Sequence, residues 1–187
     1  SPLIASVHAP GSGPFAARQT LDATGRIISP GLIDSHMHVE SSMVPPATYA
    51  ARVVPRGVTT IVWDPHELGN VHGRSGVDWA IEATQNLPLR IVVLAPSCVP
   101  SAPGYELAGA SFDGQDLTEL LACPGIGGVA EVMTMGDVIA RAPRATNIVQ
   151  AGLASGKPVC GHARGLSGND LNAFIAAGIS SDHELTS

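Results

Sequence analysis

The sequence predicts an α/β protein, a parallel (β/α)8 TIM-like barrel that is incomplete here, with about six βα units. Apolar, strand-like runs alternate with helical patterns from Gly31 onward. The polar residues that end successive runs follow one another at about 20 to 35 residues, which fits one βα unit each. A complete barrel needs eight units in roughly 250 residues. A doubly wound open sheet is the alternative, although the first βα turn lacks the Gly-rich phosphate loop of its nucleotide-binding form.

The elements follow one another in a regular order. Residues 1–30 are turn-rich and end in a β-like run at 20–28, so we interpret them as the remnant of a small β domain. Residues 31–187 are expected to form the partial barrel, and both ends of the chain look cut. Strands are predicted at residues 32–38, 59–64, 89–96, 128–133, 158–163 and 179–184, and helices near 46–54, 76–87, 114–122, 137–155 and 168–177.

Composition excludes several classes of protein. The chain of 187 residues is 44% hydrophobic and 14% charged, which is enough for one ordinary core. The net charge is −6 and no basic run is present, so neither nucleic acid nor a membrane is an expected partner. Cys98, Cys123 and Cys160 have no regular spacing, which argues against a disulfide framework and favours a cytoplasmic location. No segment is long enough to span a bilayer.

Two histidines occupy alternate positions near the end of the first predicted strand. Side chains alternate in direction along a strand, so Asp34, His36 and His38 are expected to point to the same side. Two imidazoles at this spacing are suitable ligands for Zn, Fe, Ni and similar cations. Asp34 is interpreted as a residue that orients the two histidines, with the capping of a turn as the alternative.

Histidines and a carboxylate also end later strands. His162 and His183 end the fifth and sixth runs, and Glu131 lies in the apolar fourth run. The active site of a parallel barrel lies at the C-terminal ends of its strands, so these residues are predicted to share a metal site with His36 and His38. A buried carboxylate is costly unless it is paired or bound to metal. Glu131 is therefore predicted to bridge two cations and to act in catalysis, with a solvated, arginine-paired glutamate as the alternative.

The remaining polar residues near strand ends are weaker indications of a site. Asp64, His66 and Glu67 follow the second strand and are expected to bind an auxiliary cation or substrate, or to form a solvated loop. Ser97 ends the third strand and is expected to line a substrate pocket. Lys157, which begins the fifth strand, is expected at the opposite end of the barrel, where it cannot supply a carbamate bridge.

Several of these motifs resemble those of a known superfamily. Residues 31–38, Gly-Leu-Ile-Asp-Ser-His-Met-His, resemble the first-strand motif of the amidohydrolase superfamily. The segments at residues 38–43, 64–67, 96–100, 161–163, 165–168 and 181–184 resemble the corresponding segments of the adenine deaminase family within it. The resemblance runs from Gly31 to Ser187 and so covers nearly the whole chain.

The resemblance implies a metal-dependent hydrolase that converts adenine, a small-molecule purine, to hypoxanthine and ammonia in purine salvage. It implies a binuclear divalent metal centre in which His36 and His38 are the first-strand ligands and His162 and His183 the ligands of the fifth and sixth strands. Glu131 matches the carboxylate that replaces the carbamylated lysine of related enzymes. Mn2+ or Fe2+ is favoured, and Zn2+ is an alternative.

The resemblance also implies an aspartate ligand on an eighth strand, beyond Ser187, and a homo-oligomer for the full-length protein. Glu184 is considered as a second catalytic carboxylate, although strand alternation turns it away from His183 and toward a helix. Two alternatives are left open: a cyclic-amide hydrolase built on the same scaffold, and a metal-binding fragment without catalysis.

Overall fold

Six parallel strands form one sheet in which the spatial order follows the order along the chain. The computed structural model describes residues 3–13 and 16–183. The strands are β1 Leu32–Met37, β2 Val58–Trp63, β3 Arg90–Ala95, β4 Ile126–Val132, β5 Val159–Gly161 and β6 Ser181–Asp182. The sheet curls into half of a barrel. This confirms the predicted incomplete (β/α)8 barrel, because the strand order of a doubly wound sheet would reverse along the chain.

Helices lie between successive strands, as the alternating pattern predicts. They are α1 Pro46–Val53, α2 His66–His72, α3 Arg74–Ala83, α4 Gly114–Ala122, α5 Met135–Ile139, α6 Pro143–Ala154 and α7 Gly168–Ala176, with short 3-10 turns at Glu40–Ser42 and Val54–Arg56. Helix α4 begins with a capping box, in which the Asp113 carboxylate accepts from the backbone N–H of Gln115 and of Asp116.

Two helical segments differ from the sequence prediction. The single helix predicted over residues 137–155 is divided, since α5 ends at Ile139 and α6 begins at Pro143. Arg141 has a left-handed backbone with φ 56°, and a proline fits the first turn of a new helix, where no N–H acceptor is available. The segment after Pro65, for which a solvated loop was one expectation, begins α2 at His66.

The hydrophobic core lies between the strands and the helices that cover them. Trp63 and Val129 are fully buried strand residues, and Leu117 is a fully buried residue of α4. Gly152 lets α6 approach the sheet closely. A Cβ at this position would lie 2.4 Å from Cγ2 of Val159 and 2.8 Å from Cγ2 of Val129.

The chain divides into two units, Ser1–Pro30 and Gly31–Ser187. In the first unit, the described residues 3–13 and 16–30 form turns but neither helix nor strand. The run at 20–28, for which the sequence indicates β structure, contains a turn in which the Arg26 N–H donates to the Ala23 carbonyl at 2.9 Å. That this unit is the remnant of a small β domain stays a prediction. In the described part of the chain, no helix has the length and apolarity needed to cross a bilayer.

Candidate metal centre

Glu131 lies near the carboxyl end of β4, and only 2% of it is exposed. The pairing register between β4 and β5 shifts between Val129 and Val132. Such shifts redirect side chains. This one accounts for Val129 packing near α6 while Glu131 faces the ends of the neighbouring strands. Ser97 fixes the same backbone, because its hydroxyl contacts the carbonyl oxygens of Ala130 at 3.1 Å and Glu131 at 2.8 Å.

Four histidines surround the Glu131 carboxylate. Its Oε2 lies 3.7 Å from Nε2 of His36 and 3.2 Å from Nε2 of His183, and it forms a short contact with Nε2 of His162. Its Oε1 lies 3.4 Å from Nε2 of His38. The structure thus brings together the five residues that the sequence predicts as a metal-binding group.

The imidazole rings of this group are closely packed against one another. The His36 and His183 rings stack with centroids 3.7 Å apart, and the His162 and His183 centroids are 4.3 Å apart. Burial, followed by the nearby His183, lowers the pKa of His36 to about 4. The neutral imidazole that results is the form that binds cations.

One histidine has a defined tautomer. Nδ1 of His38 lies 2.8 Å from the backbone carbonyl oxygen of Asp64. A carbonyl oxygen only accepts, so Nδ1 carries a proton and donates it, which in the neutral form of the ring leaves the lone pair on Nε2. That lone pair faces Glu131, which is the orientation that a metal ligand requires.

Asp64 and a fifth histidine, His66, add further donors to this group. Nδ1 of His66 lies 2.8 Å from Oδ2 of Asp64 and 3.0 Å from Oε1 of Glu131. Asp64 is completely buried, and burial raises its pKa to about 6 despite the hydrogen bond from His66. Burial alone would also raise the pKa of Glu131, but contacts with His66 and His162 hold it below its ordinary value. The Glu131 carboxylate is therefore ionised at neutral pH.

Two sets of donor atoms have the spacing of a possible metal site. The first set comprises His38, Asp64, His66 and Glu131, and the second comprises His36, Glu131 and His183. Within each set, the donor atoms lie within 4.8 Å of one another. Glu131 belongs to both. Oδ1 of Asp64 and Oε1 of Glu131 are buried and make no hydrogen bond of good geometry. Because an unpaired buried carboxylate oxygen is costly, this donor set fits bound divalent cations.

Two further carboxylates lie at the mouth of the centre. Oε2 of Glu67 is 3.8 Å from both Nδ1 of His38 and Nε2 of His66, and its Oε1 accepts from the Ser41 hydroxyl at 3.1 Å. Glu40, which sequence reasoning missed, bonds to the Trp63 indole N–H. Burial, followed by a hydrogen bond with Glu67, raises the pKa of Glu40 to about 8. The sequence feature that could have identified Glu40 is its position two residues after the predicted ligand His38.

Of the remaining predicted placements, that of Asp34 differs from the prediction, that of Lys157 agrees with it, and that of Glu184 is not described by the structure. The register between β1 and β2 shifts between Asp34 and Met37, so strict alternation from Asp34 to His38 does not hold. Asp34 instead accepts from the backbone N–H of His36 at 3.3 Å. Lys157 lies away from the centre, with Nζ donating to the carbonyl oxygens of Leu121 and Ile126. Glu184 lies outside the described residues.

A curled parallel sheet with histidines and a shared carboxylate at its C-terminal edge is an architecture in which parallel barrels can hold metal ions. Residues 27–187 match the amidohydrolase family, and the chain belongs to this family.

Relatives of this chain have a more specific name. Over 185 residues, the chain is 68% identical to adenine deaminase 2 of Rhizobium johnstonii and 57% identical to an adenine deaminase of Serratia proteamaculans. It is also 47% identical over 170 residues to an adenine deaminase of Desulfatibacillum aliphaticivorans. The first two matches cover 99% of this chain and 31% of each relative, and the third covers 91% and 30%. The chain therefore spans about a third of the length of these relatives.

Proposed function

We propose that this chain forms part of an enzyme that hydrolyses adenine to hypoxanthine and ammonia with the help of two divalent cations. The observation that supports this most strongly is the position of Glu131, whose two carboxylate oxygens each face histidines from the ends of other strands. The choice of adenine as substrate rests on the relatives named adenine deaminases.

Each residue of the centre has a proposed role. His36, His38, His162 and His183 would hold the cations, and Glu131 would bridge them. When bound, two such cations act as Lewis acids and lower the pKa of a shared water molecule toward neutrality. The buried strand ends fix the imidazoles in place before substrate arrives, which reduces the cost of ordering the site.

Deamination also requires protons at a ring nitrogen and at the departing amine. The side chain of Glu67 is 44% exposed, against 3% for Glu131, so Glu67 is the more accessible of these two carboxylates to a substrate. Glu184 stays a prediction for the same task. Asp34 is proposed to support His36 through its backbone, and Ser97 to support Glu131.

The identity of the metal, the metabolic role, the location and the oligomeric state are part of the same proposal. Mixed imidazole and carboxylate donors accommodate Mn2+, Fe2+ or Zn2+, and the resemblance to adenine deaminases favours the first two. We propose a role in purine salvage and adenine catabolism, a cytoplasmic location and a homo-oligomer of the full-length protein. Neither nucleic acid nor membrane is proposed as a partner, because the net charge is −6 and no basic run is present.

The test is ammonia release from adenine by the full-length protein loaded with Mn2+, with hypoxanthine measured as the second product. Glu131→Gln is expected to lower kcat/KM by roughly 100-fold or more, because a neutral amide is a poor bridge between cations. Glu119→Gln, on the exposed surface of α4, is the matched control and is expected to retain activity.

Ring opening of a cyclic amide such as dihydroorotate, without ammonia release from adenine, would overturn the proposal in favour of a cyclic-amide hydrolase. Equal activities of the Glu131→Gln variant and the wild type would exclude the proposed role of this carboxylate. Assay of the 187-residue chain in parallel tests whether this part of the protein alone is a metal-binding fragment without turnover.

A further inference from the structure

We infer that Asp64 and His66 are direct ligands of one of the two cations, together with His38 and Glu131. This inference rests on the proposed function, because it names additional residues of the same centre. The resemblance places metal ligands on the first, fourth, fifth and sixth strands. The inference adds ligands that follow the second strand.

The donor atoms already lie at suitable distances. Nδ1 of His66 is 2.8 Å from Oδ2 of Asp64 and 3.0 Å from Oε1 of Glu131, and that Oε1 is 3.4 Å from Nε2 of His38. Two metal–ligand bonds of about 2.1 Å each join donor atoms up to about 4.2 Å apart. The four residues therefore surround a point that a cation reaches with little movement of the side chains.

The electrostatics of the cluster favour a cation at this point. The carboxylates of Asp64, Glu67 and Glu131 all lie within 4 Å of a His66 ring nitrogen. Asp64 is completely buried, and its Oδ1 makes no hydrogen bond. A buried, unpaired carboxylate oxygen is retained at a cost unless a cation neutralises it. One divalent ion would neutralise charge on both Asp64 and Glu131.

The local backbone holds these two residues rigidly. The Asp64 N–H donates to the Met37 carbonyl at 3.1 Å, which ties the end of β2 to the end of β1. Helix α2 begins at His66, and the Gly69 N–H donates to the Pro65 carbonyl at 2.9 Å. Asp64 and His66 are therefore presented from a rigid strand-to-helix turn, which is the placement expected of a prearranged ligand pair.

The other set of donors is independent of this turn. His36 and His183 approach Oε2 of Glu131, and His162 contacts the same oxygen. Loss of Asp64 or His66 is therefore expected to weaken the binding of one ion and to leave the affinity for the other ion unchanged. This asymmetry distinguishes direct ligation from general damage to the centre.

The experiment measures Mn2+ binding rather than turnover. Full-length wild type, Asp64→Asn and His66→Asn are stripped with chelator and equilibrated against graded free Mn2+, and bound metal per chain is determined. The wild type is expected to bind two ions, and each variant to bind one of them at least about tenfold more weakly. His72→Asn, at the exposed end of the same helix, is the matched control and is expected to bind like the wild type.

Crystals of the wild type grown with Mn2+ provide a measurement that does not depend on the variants folding. An anomalous peak within about 2.3 Å of His66 Nδ1 supports ligation. A peak more distant than a coordinate bond, or unchanged affinities for both ions in the two variants, overturns the inference. Ammonia release from adenine by the wild type is measured alongside. If the wild type releases no ammonia, the proposed function is refuted. The assignment of Asp64 and His66 as ligands is then still decided by the Mn2+ binding and the anomalous peak.

Discussion

Arg144 is a partly buried cation that serves the backbone rather than the metal centre. Its Nε donates to the Phe112 carbonyl at 3.0 Å, and its Nη2 lies 2.9 Å from the Val99 carbonyl and 3.3 Å from that of Ser97. One guanidinium therefore holds together the loop between β3 and α4. The five donors of an arginine in a planar arrangement make this possible.

We expect Arg144→Met to destabilise the protein by about 2–3 kcal/mol, because buried carbonyl oxygens lose a charged donor. The measurement is the free energy of unfolding from a urea titration. Arg141→Met, at an exposed position three residues earlier, is the control and is expected to stay within about 0.5 kcal/mol of the wild type. Equal stability of the two variants would show that water replaces the guanidinium at these carbonyls.

At the level of single residues, the sequence predicts which side chains come together in the centre better than it predicts the contacts that each of them makes. His36, His38, Glu131, His162 and His183 were identifiable because polar groups at the ends of apolar strands converge in a parallel barrel. The hydrogen bond of Asp34 to its own strand was not identifiable, because a register shift inside β1 interrupts the alternation and leaves no mark in the residue pattern. The close approach of His66 to Glu131 likewise depends on the turn at Pro65.

Among the elements, α6 depends on one small residue for its position against the sheet. We expect Gly152→Ala to destabilise the protein by about 1–3 kcal/mol, since the new Cβ would lie 2.4 Å from a Val159 methyl. Gly136→Ala in α5 is the control: a Cβ there would have no atom within 4 Å, and alanine favours helix, so unchanged or higher stability is expected. Thermal unfolding measures both variants. A stabilised Gly152→Ala variant would show that α6 moves away at little cost.

The strands were easier to predict than the helices. All six predicted runs coincide with observed strands to within a few residues, because short apolar segments at regular spacing are distinctive. The helix predicted over residues 137–155 is divided because Arg141 takes a left-handed conformation, which a helical hydrophobic pattern does not indicate. Helix α2 was missed because its polar start after Pro65 resembles a turn.

For the molecule as a whole, bound metal is expected to contribute to stability. A ligand that binds only the folded state, at a concentration of 100 times its Kd, adds about 2.7 kcal/mol. For a domain of about 150–250 residues this raises Tm by roughly 5–10 °C. Differential scanning calorimetry with Mn2+ and with chelator measures the shift. Glu131→Gln is expected to lose most of the shift, and an equal shift in this variant would place the ions elsewhere.

The barrel order was predictable at this scale because each βα unit is local in sequence and parallel strands are joined in a fixed sense. The angle at which the sheet curls and the division of the donors into two sets around Glu131 arise from contacts between residues far apart in the chain. Nothing in the linear pattern specifies them. The structure was needed to separate the imidazoles into two sets around Glu131.

The position of Lys157 has a consequence for how the centre is assembled. Its ammonium holds the carbonyls of Leu121 and Ile126 at 2.6 and 2.8 Å, and Ile126 begins the strand that ends beside Glu131, roughly 16 Å away at the rise of a β-strand. In the proposed centre, the protein supplies its bridging ligand as the unmodified side chain of Glu131, and no adduct with dissolved carbon dioxide has to form first. Maturation of the enzyme would then follow the supply of metal and be indifferent to bicarbonate.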